Sequence, residues 1–154
     1  MNHTEDGVLC HHKWPANNGL AQWVLDHLGK EKGYRGHAID VGASDGFSIN
    51  STWALEKQHG WTVLSVEPNP EFLPMLRKER TWVEGCACGD RPNDAAKFFV
   101  HLGNYESYSS LKPTSRRDLY PAAGLRWKEI TVPVKTLDQL IEKWDFPKLA
   151  ALLI

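Results

Sequence analysis

Two apolar runs decide the fold of this chain: AIDVGASDG at residues 38–46 and VLSVEPNP at residues 63–70. The first run ends in a turn that contains two glycines, a helix-like segment follows, and the second run ends in the carboxylate of Glu67. The order strand, turn, helix, strand is the unit of a doubly wound nucleotide-binding sheet. We therefore expect an α/β protein with a mostly parallel sheet and helices on both faces.

The turn between these runs carries the signals of a ligand site. Gly42 and Gly46 let the backbone turn tightly and approach a ligand where a Cβ atom would clash. Glu67 follows at roughly the 20-residue spacing that brings an acid to a pair of ribose hydroxyls. The turn is not G-x-G-x-x-G, and Asp40 and Asp45 flank the position where a pyrophosphate would lie. Negative charge opposes a phosphate and favours a cationic amine or sulfonium, so we predict an S-adenosylmethionine site before a dinucleotide site.

An ordered set of short motifs resembles FkbM-type methyltransferases. The central motifs are DVGASDG (40–46), NST (50–52), LEK (55–57), GW (60–61) and VEPNP (66–70). EDGVL (5–9) precedes them, and CACGD (86–90), SSL (109–111) and VKTLD (134–138) follow in the expected order. The resemblance implies a Rossmann-like class I fold and an S-adenosylmethionine-dependent enzyme, and we expect O-methylation of a small-molecule or glycan acceptor.

The same resemblance bears on the C-terminal end of the chain. Enzymes of this type continue past the strand at residues 149–154 into an acidic turn and further strands. We therefore expect the C-terminal strands of the fold to be missing from these 154 residues. The exposed edge of the last strand would then favour a homo-oligomer.

Site residues follow from the spacing and from the resemblance together. The methionine end of the cofactor is assigned to Asp40 and the turn, the ribose to the second carboxylate, and the adenine border to the end of the third strand. The cofactor-binding residues predicted in this way are Asp40, Gly42, Ala43, Asp45, Gly46, Glu67, Pro68, Cys88 and Asp90. No residue is assigned as a general base.

Two of these regions admit a second interpretation from the sequence. Asp90 lies in the turn cluster GDRPND, so its carboxylate can serve the turn instead of an adenine amino group. Asn50 can cap the next helix, border the pocket, or do both. The amides of that helix would add donors for the ligand's carboxylate.

Acceptor contacts are expected in the long connection at residues 103–126. Long connections in compact domains are often functional lids, and a solvated loop is the alternative. The acceptor-site residues predicted are Asn50, Tyr108, Ser109 and Ser110.

Composition narrows the class of protein. A length of 154 residues fits one domain, with an N-terminal segment at 1–36 and an α/β core at 37–154. The net charge of −1 gives no nucleic-acid footprint, and no apolar run approaches the ~20 residues of a membrane span. Three cysteines favour a reducing compartment, so a cytoplasmic location is expected. Cys10, His11 and His12 fit no closed four-ligand metal pattern, and no metal is predicted.

The remaining periodicities predict the other elements. Leu20, Trp23, Val24 and Leu28 mark the inner face of a first helix, capped by Asn18. Residues 82–88 read as a third strand, and 95–102 with 128–135 as an added antiparallel pair, with Pro133 on an edge. Thr136 and Gln139 form a capping box, and the four main strands are expected in the order 3-2-1-4.

Three other functions remain open at the level of sequence. A dinucleotide oxidoreductase shares the strand–turn–helix–strand logic but tolerates Asp45 poorly. A non-catalytic binding module would keep the cofactor pocket and lack the acceptor site. A structural or partner-completed domain would use the last strand as an interface.

Overall fold

The computed structural model describes residues 15–28, 33–48, 50–102, 109–112, 126–146 and 148–154. Four helices and seven strands lie in these ranges. In chain order they are α1 (Pro15–Leu28), β1 (His37–Val41), α2 (Trp53–Lys57), β2 (Thr62–Val66), α3 (Leu73–Glu79), β3 (Trp82–Glu84), β4 (Ala87–Cys88), β5 (Asn93–Leu102), β6 (Arg126–Lys135), α4 (Leu137–Lys143) and β7 (Leu149–Leu153).

The central sheet has four parallel strands in the order β3-β2-β1-β7. β1 pairs with β2 from His37 opposite Thr62 to Val41 opposite Val66, and with β7 on its other side. The predicted 3-2-1-4 order of the main strands is therefore confirmed. All four carboxyl ends meet at one edge, where doubly wound sheets bind their ligands.

Helices cover both faces of this sheet, as predicted. Ala38 and Val63 point to the face that α1 and α2 cover. Ile39 and Leu64, the next residue on each strand, belong to the core on the side of α4. Because successive side chains of a strand point to opposite faces, strands buried on both sides read as continuous apolar runs.

A second sheet of three strands has the order β4-β6-β5. The predicted antiparallel pair is confirmed, with β5 and β6 in register from Ala96 opposite Val132 to Leu102 opposite Arg126. The prediction of one continuous third strand at residues 82–88 is wrong. Gly85 and Cys86 interrupt it, and Ala87–Cys88 leaves the central sheet to pair with β6. This change of sheet brings the two sheets together beside the carboxyl end of β2.

β6 is the middle strand of its sheet, but β4 pairs only with Val134 and Lys135, so the edge position of Pro133 stays a prediction. The pairing of β5 with β6 is irregular between Asn93 and Ala96, which lie opposite Val134 and Val132. Proline removes one ladder hydrogen bond and is tolerated where the ladder is already irregular.

The buried face of α1 agrees with the predicted one at Val24 only. Ala21 and Val24 are buried, whereas Trp23 is 55% exposed and stacks on His27. Leu20 and Leu28 are exposed as well. The prediction used only large apolar side chains and so left out Ala21. Its small side chain lets the helix approach the core closely. The helix begins at Pro15, so Asn18 lies inside it and is not its cap.

Helix α4 begins as predicted. The Thr136 side chain accepts from the Gln139 amide, and the Gln139 side chain accepts from the Thr136 amide. Within the described ranges no helix is long and apolar enough to cross a membrane, and no group of three or more His, Cys, Asp or Glu side chains could hold a metal ion. Cys10, His11 and His12 lie outside the described residues.

Candidate active site

A cavity of about 900 Å³ opens where the carboxyl ends of β1 and β2 face the second sheet. Two turns and the start of a helix line one side, and residues of the second sheet line the other. The lining residues are Val41, Gly42, Ala43, Ser44, Asp45, Ser48, Glu67, Pro68, Asn69, Phe72, Ala87, Cys88, Phe98, Ser109, Ser110, Leu111 and Ile154.

Glu67 is the central acid of this cavity. It follows β2 directly and is 6% exposed, and its carboxylate accepts from the backbone amides of Ser44 and Asn69, both at 2.8 Å. Burial raises the pKa of this carboxyl, the two amide hydrogen bonds oppose the increase, and the nearby charge of Asp40 adds to it. Each carboxylate oxygen keeps a further lone pair for a ligand hydroxyl.

The glycine-containing turn is held in an uncommon backbone conformation. Gly42 and Gly46 have φ of 84° and 81°, and Ser44 has φ of 54°. The amides of Gly42 and Ala43 both donate to the carbonyl of Val66, so the turn folds back over the end of β2. A non-glycine residue with positive φ is costly and is held there by its surroundings, here by the bond from Ser44 to Glu67.

The two glycines are required for different reasons. A Cβ atom at Gly42 would meet nothing within 4 Å, so only its backbone angle demands glycine. A Cβ atom at Gly46 would lie 2.6 Å from a methyl carbon of Leu76 and 2.8 Å from Cγ of Arg80. Gly46 is buried against α3 and does not line the cavity, so the close approach that it permits is to the protein's own side chains.

Asp45 lines the cavity and also stabilises the turn. Its Oδ1 accepts from the amides of Phe47 and Ser48 at 2.9 and 2.8 Å. This is a local side-chain-to-backbone turn, the ordinary use of aspartate at such a position. The second oxygen of the carboxylate adds negative charge to this side of the cavity.

Asp40 and Asn50 lie behind the turn and not in the cavity lining. Asp40 Oδ2 accepts from Asn50 Nδ2 at 2.9 Å and from Thr52 Oγ1 at 2.6 Å. Asn50 Oδ1 accepts from the amides of Thr52, the N-cap of α2, and of Trp53, its first helical residue. The Trp53 amide is therefore already bonded, and the expectation that the amides at the start of this helix add donors for a ligand stays a prediction.

The far side of the cavity comes from the second sheet. Cys88 ends β4 and is half-buried, and burial raises the pKa of its thiol. Ser110 pairs with Phe99 of β5 through two backbone hydrogen bonds, which places Ser109 and Leu111 at the cavity wall.

The structure places one predicted site residue, Asp90, away from the cavity. The Asp90 side chain is 94% exposed and is absent from the lining, which agrees with its alternative interpretation as a turn residue. Tyr108 lies outside the described residues.

Several lining residues were not predicted from the sequence. Ser44, Ser48 and Asn69 flank predicted residues in the two turns, and their position was the available signal. Phe98 was assigned only to a strand. Nothing local marks a strand residue as cavity-facing, because its neighbours come from another part of the chain.

The charged side chains that line the cavity are acidic. Among the described lining residues Asp45 and Glu67 are ionisable acids, and there is no lysine, arginine or histidine. Such a surface favours a cationic ligand and disfavours a polyphosphate.

The parallel sheet order, the turn over the end of β2 and the acid that follows it are those of a class I methyltransferase. The family model of the methyltransferase FkbM domain matches residues 40–152, and the chain belongs to this family of methyltransferases. Searches among curated proteins and among solved structures gave no match.

Proposed function

We propose that this methyltransferase uses S-adenosylmethionine and methylates a hydroxyl oxygen of a small-molecule or glycan acceptor. The observation that carries the cofactor assignment is Glu67, a buried acid at the end of β2 that faces a cavity lined by no described cation. An acid in this position can accept hydrogen bonds from both ribose hydroxyls.

The charge around the turn supports this cofactor over a dinucleotide. Asp45 and Glu67 line the cavity, and Asp40 lies directly behind the turn. S-adenosylmethionine carries positive charge on its sulfonium and amino groups, whereas a dinucleotide brings two phosphates. In a partly desolvated cavity three nearby carboxylates therefore favour the first ligand.

The chain's own residues would bind and orient the reactants. The turn at 42–45 would hold the methionine end, and Glu67 the ribose. Pro68, Phe72 and Cys88 would supply the apolar border of the adenine. When bound, S-adenosylmethionine would supply an electrophilic methyl carbon: a C–O bond to the acceptor would form as the C–S bond breaks, S-adenosylhomocysteine would leave, and the hydroxyl proton would pass to solvent. The contribution of the protein to such a step is mainly the alignment of donor and acceptor.

Acceptor contacts would come from the second-sheet side of the cavity. Ser109 and Ser110 line this side beside the apolar Phe98 and Leu111, and their hydroxyl oxygens accept from the amides of His101 and Lys112. This mixture fits an uncharged, hydroxylated acceptor better than an anionic one. Asn50 is fully engaged behind the turn, so its proposed contribution is to the shape of the site and not to a direct acceptor contact.

Calorimetry on the purified chain tests the cofactor assignment. We expect S-adenosylmethionine and S-adenosylhomocysteine to bind and NAD to give no heat of binding. Binding of NAD alone would overturn the proposal. Transfer of a labelled methyl group to a panel of neutral hydroxylated acceptors, compared with anionic and amine acceptors, tests the acceptor class.

A single domain, a cytoplasmic location and a homo-oligomer contact through the edge of β7 stay predictions. β7 is an edge strand of the described four-stranded sheet, and Leu152 on it is 40% exposed. Sedimentation at several protein concentrations would measure the oligomeric state directly.

A further inference from the structure

Arg80 is a buried charge at the back of the candidate site. It follows α3 directly, and its side chain is 0% exposed. It does not line the cavity, and no sequence pattern points to it. A buried guanidinium is costly unless its donors are paired, so its partners show what it holds in place.

The guanidinium contacts the last residue of the turn, the segment that follows it, and α2. Nη1 donates to the carbonyl of Gly46 at 3.3 Å and to Asn50 Oδ1 at 2.9 Å. Nη2 donates to Thr52 Oγ1 at 2.8 Å. Nε forms a charge-assisted bond with the carboxylate of Glu56 on α2.

The partners of Arg80 form further hydrogen bonds with the start of the turn. Asn50 Nδ2 donates to the carbonyl of Ala43 at 3.2 Å and to Asp40 Oδ2. Thr52 Oγ1 donates to the same Asp40 oxygen. Arg80 therefore holds the far end of the turn directly and its near end through one intervening side chain.

A lysine could not reproduce these contacts. Arginine presents five donors in a fixed planar fork, whereas lysine presents one compact ammonium group on a flexible chain. The positive charge of Arg80 lies between the carboxylates of Glu56 and, through Thr52 and Asn50, Asp40.

We propose that Arg80 is a positioning residue of the cofactor site, which sets the shape of the turn at 42–46 for the methionine end of the cofactor. Arg80 acts through Gly46 and Asn50 and touches no ligand. The inference rests on the proposed use of S-adenosylmethionine. Its effect is specific to one end of the ligand, because Glu67 is also held by the Asn69 amide, which Arg80 does not touch.

Calorimetry with two ligands on Arg80→Lys tests this assignment. The lysine keeps a positive charge between the carboxylates but loses the fork. We expect the Kd for S-adenosylhomocysteine to rise roughly tenfold, as for the loss of one charged hydrogen bond. We expect the Kd for methylthioadenosine, which lacks the amino-acid end, to stay within about twofold. A general loosening of the fold would weaken both ligands alike and would overturn the proposal.

Two further variants complete the experiment. Arg77→Ala removes an exposed arginine from α3 and should leave both affinities unchanged. Arg80→Ala, if folded by its thermal transition, should lose S-adenosylhomocysteine affinity and regain part of it in millimolar guanidinium. Parent-like binding of S-adenosylhomocysteine by a folded Arg80 variant would overturn the inference. Failure of the parent chain to bind S-adenosylhomocysteine would instead refute the proposed function.

Discussion

The backbone amide of Ser44 donates a 2.8 Å hydrogen bond to the carboxylate of Glu67, 23 positions further along the chain. The bond joins the turn after β1 to the acid after β2, and it holds Ser44 at its positive φ. The two sequence features that most strongly indicate a cofactor site are thus in direct contact. The acid both shapes the turn and faces the cavity.

Glu67→Gln should weaken S-adenosylhomocysteine binding by about tenfold or more, since charged hydrogen bonds contribute roughly 1.5–3 kcal/mol each. The amide nitrogen of glutamine also cannot accept from a backbone amide. The matched control is Glu71→Gln, at an exposed acid that pairs with Lys128 and does not line the cavity, and it should bind as the parent does. Parent-like affinity in Glu67→Gln, measured by calorimetry, would remove the ribose assignment.

Binding should also depend on pH through Glu67. Because burial raises the pKa of this carboxyl, it takes up a proton at a higher pH than an ordinary glutamate does. Affinity for the cofactor should therefore fall with decreasing pH, beginning above the usual range of glutamate. In Glu67→Gln this part of the pH dependence should be absent. An identical pH profile in the two proteins would contradict the assignment.

The same pKa shift has a consequence for stability. The folded state binds this proton more tightly than the unfolded state does, so the stabilising contribution is present below the unfolded pKa and is lost as pH rises through the folded one. Glu67 should thus slightly destabilise the free protein at neutral pH. Chemical denaturation of the parent and of Glu67→Gln, from a pH below the unfolded pKa to neutral pH, would measure the difference in their free energies of unfolding.

Gly46→Ala should be far more disruptive than Gly42→Ala. Both glycines have positive φ, which costs an alanine about 1–2 kcal/mol. The alanine at Gly42 meets open space, whereas the one at Gly46 overlaps Leu76 and Arg80 and should cost roughly 1–3 kcal/mol more. Equal free energies of unfolding for the two variants would show that the packing under Gly46 yields without cost.

Cys88 should react slowly with iodoacetamide, and bound S-adenosylhomocysteine should slow it further. Burial raises the pKa of the thiol, so little thiolate is present at neutral pH, and the thiol lies in the cavity wall. Cys86 is the internal control, because burial raises its pKa to about 12 and it should stay unmodified. Peptide mapping with and without the ligand provides the measurement. Equal labelling of Cys88 in both samples would place the ligand elsewhere.

Glu84 should stabilise the fold at neutral pH by anchoring the second sheet to α4. Its carboxylate, 9% exposed, accepts from Lys135, Lys143 and Trp144 Nε1. Burial opposes its ionisation, but these hydrogen bonds outweigh burial and lower the pKa. Glu84→Gln should lower the free energy of unfolding by about 1.5–3 kcal/mol at pH 7. The control is Glu129→Gln, at an exposed acid that pairs with Lys97, and it should lower that free energy by under about 1 kcal/mol.

The pH dependence of that cost follows from the lowered pKa. The contribution of Glu84 is present above the unfolded pKa and is lost as pH falls through the folded one, so the gap between parent and Glu84→Gln should close in acid. A constant gap down to low pH would mean that the charge of Glu84 is not what matters. Urea denaturation at a series of pH values decides between these outcomes.

Much of the parallel sheet was predictable from local pattern. Apart from Asp40 and Ser65, the runs at 38–41 and 63–66 are apolar on both faces, a pattern typical of strands covered on both sides. The capping box at Thr136 is a signal between near neighbours, and it was predicted correctly. Patterns failed where distant chain segments decide: the division of 82–88 between two sheets depends on the partner strand β6, and the buried face of α1 depends on the core that it meets.

For the site, the sequence by itself determined the chemistry: two glycines in a turn, the acids around them, and the spacing to Glu67, because these are properties of residue type and short-range order. Only the tertiary structure decided which of these groups face the cavity. It placed Asp45 and Glu67 in the cavity wall, Asp40 and Asn50 behind the turn, and the Asp90 side chain in solvent. It also brought Arg80 beneath Gly46, 34 positions away. Contacts over such separations leave no local pattern, since they depend on how α3 packs against the turn.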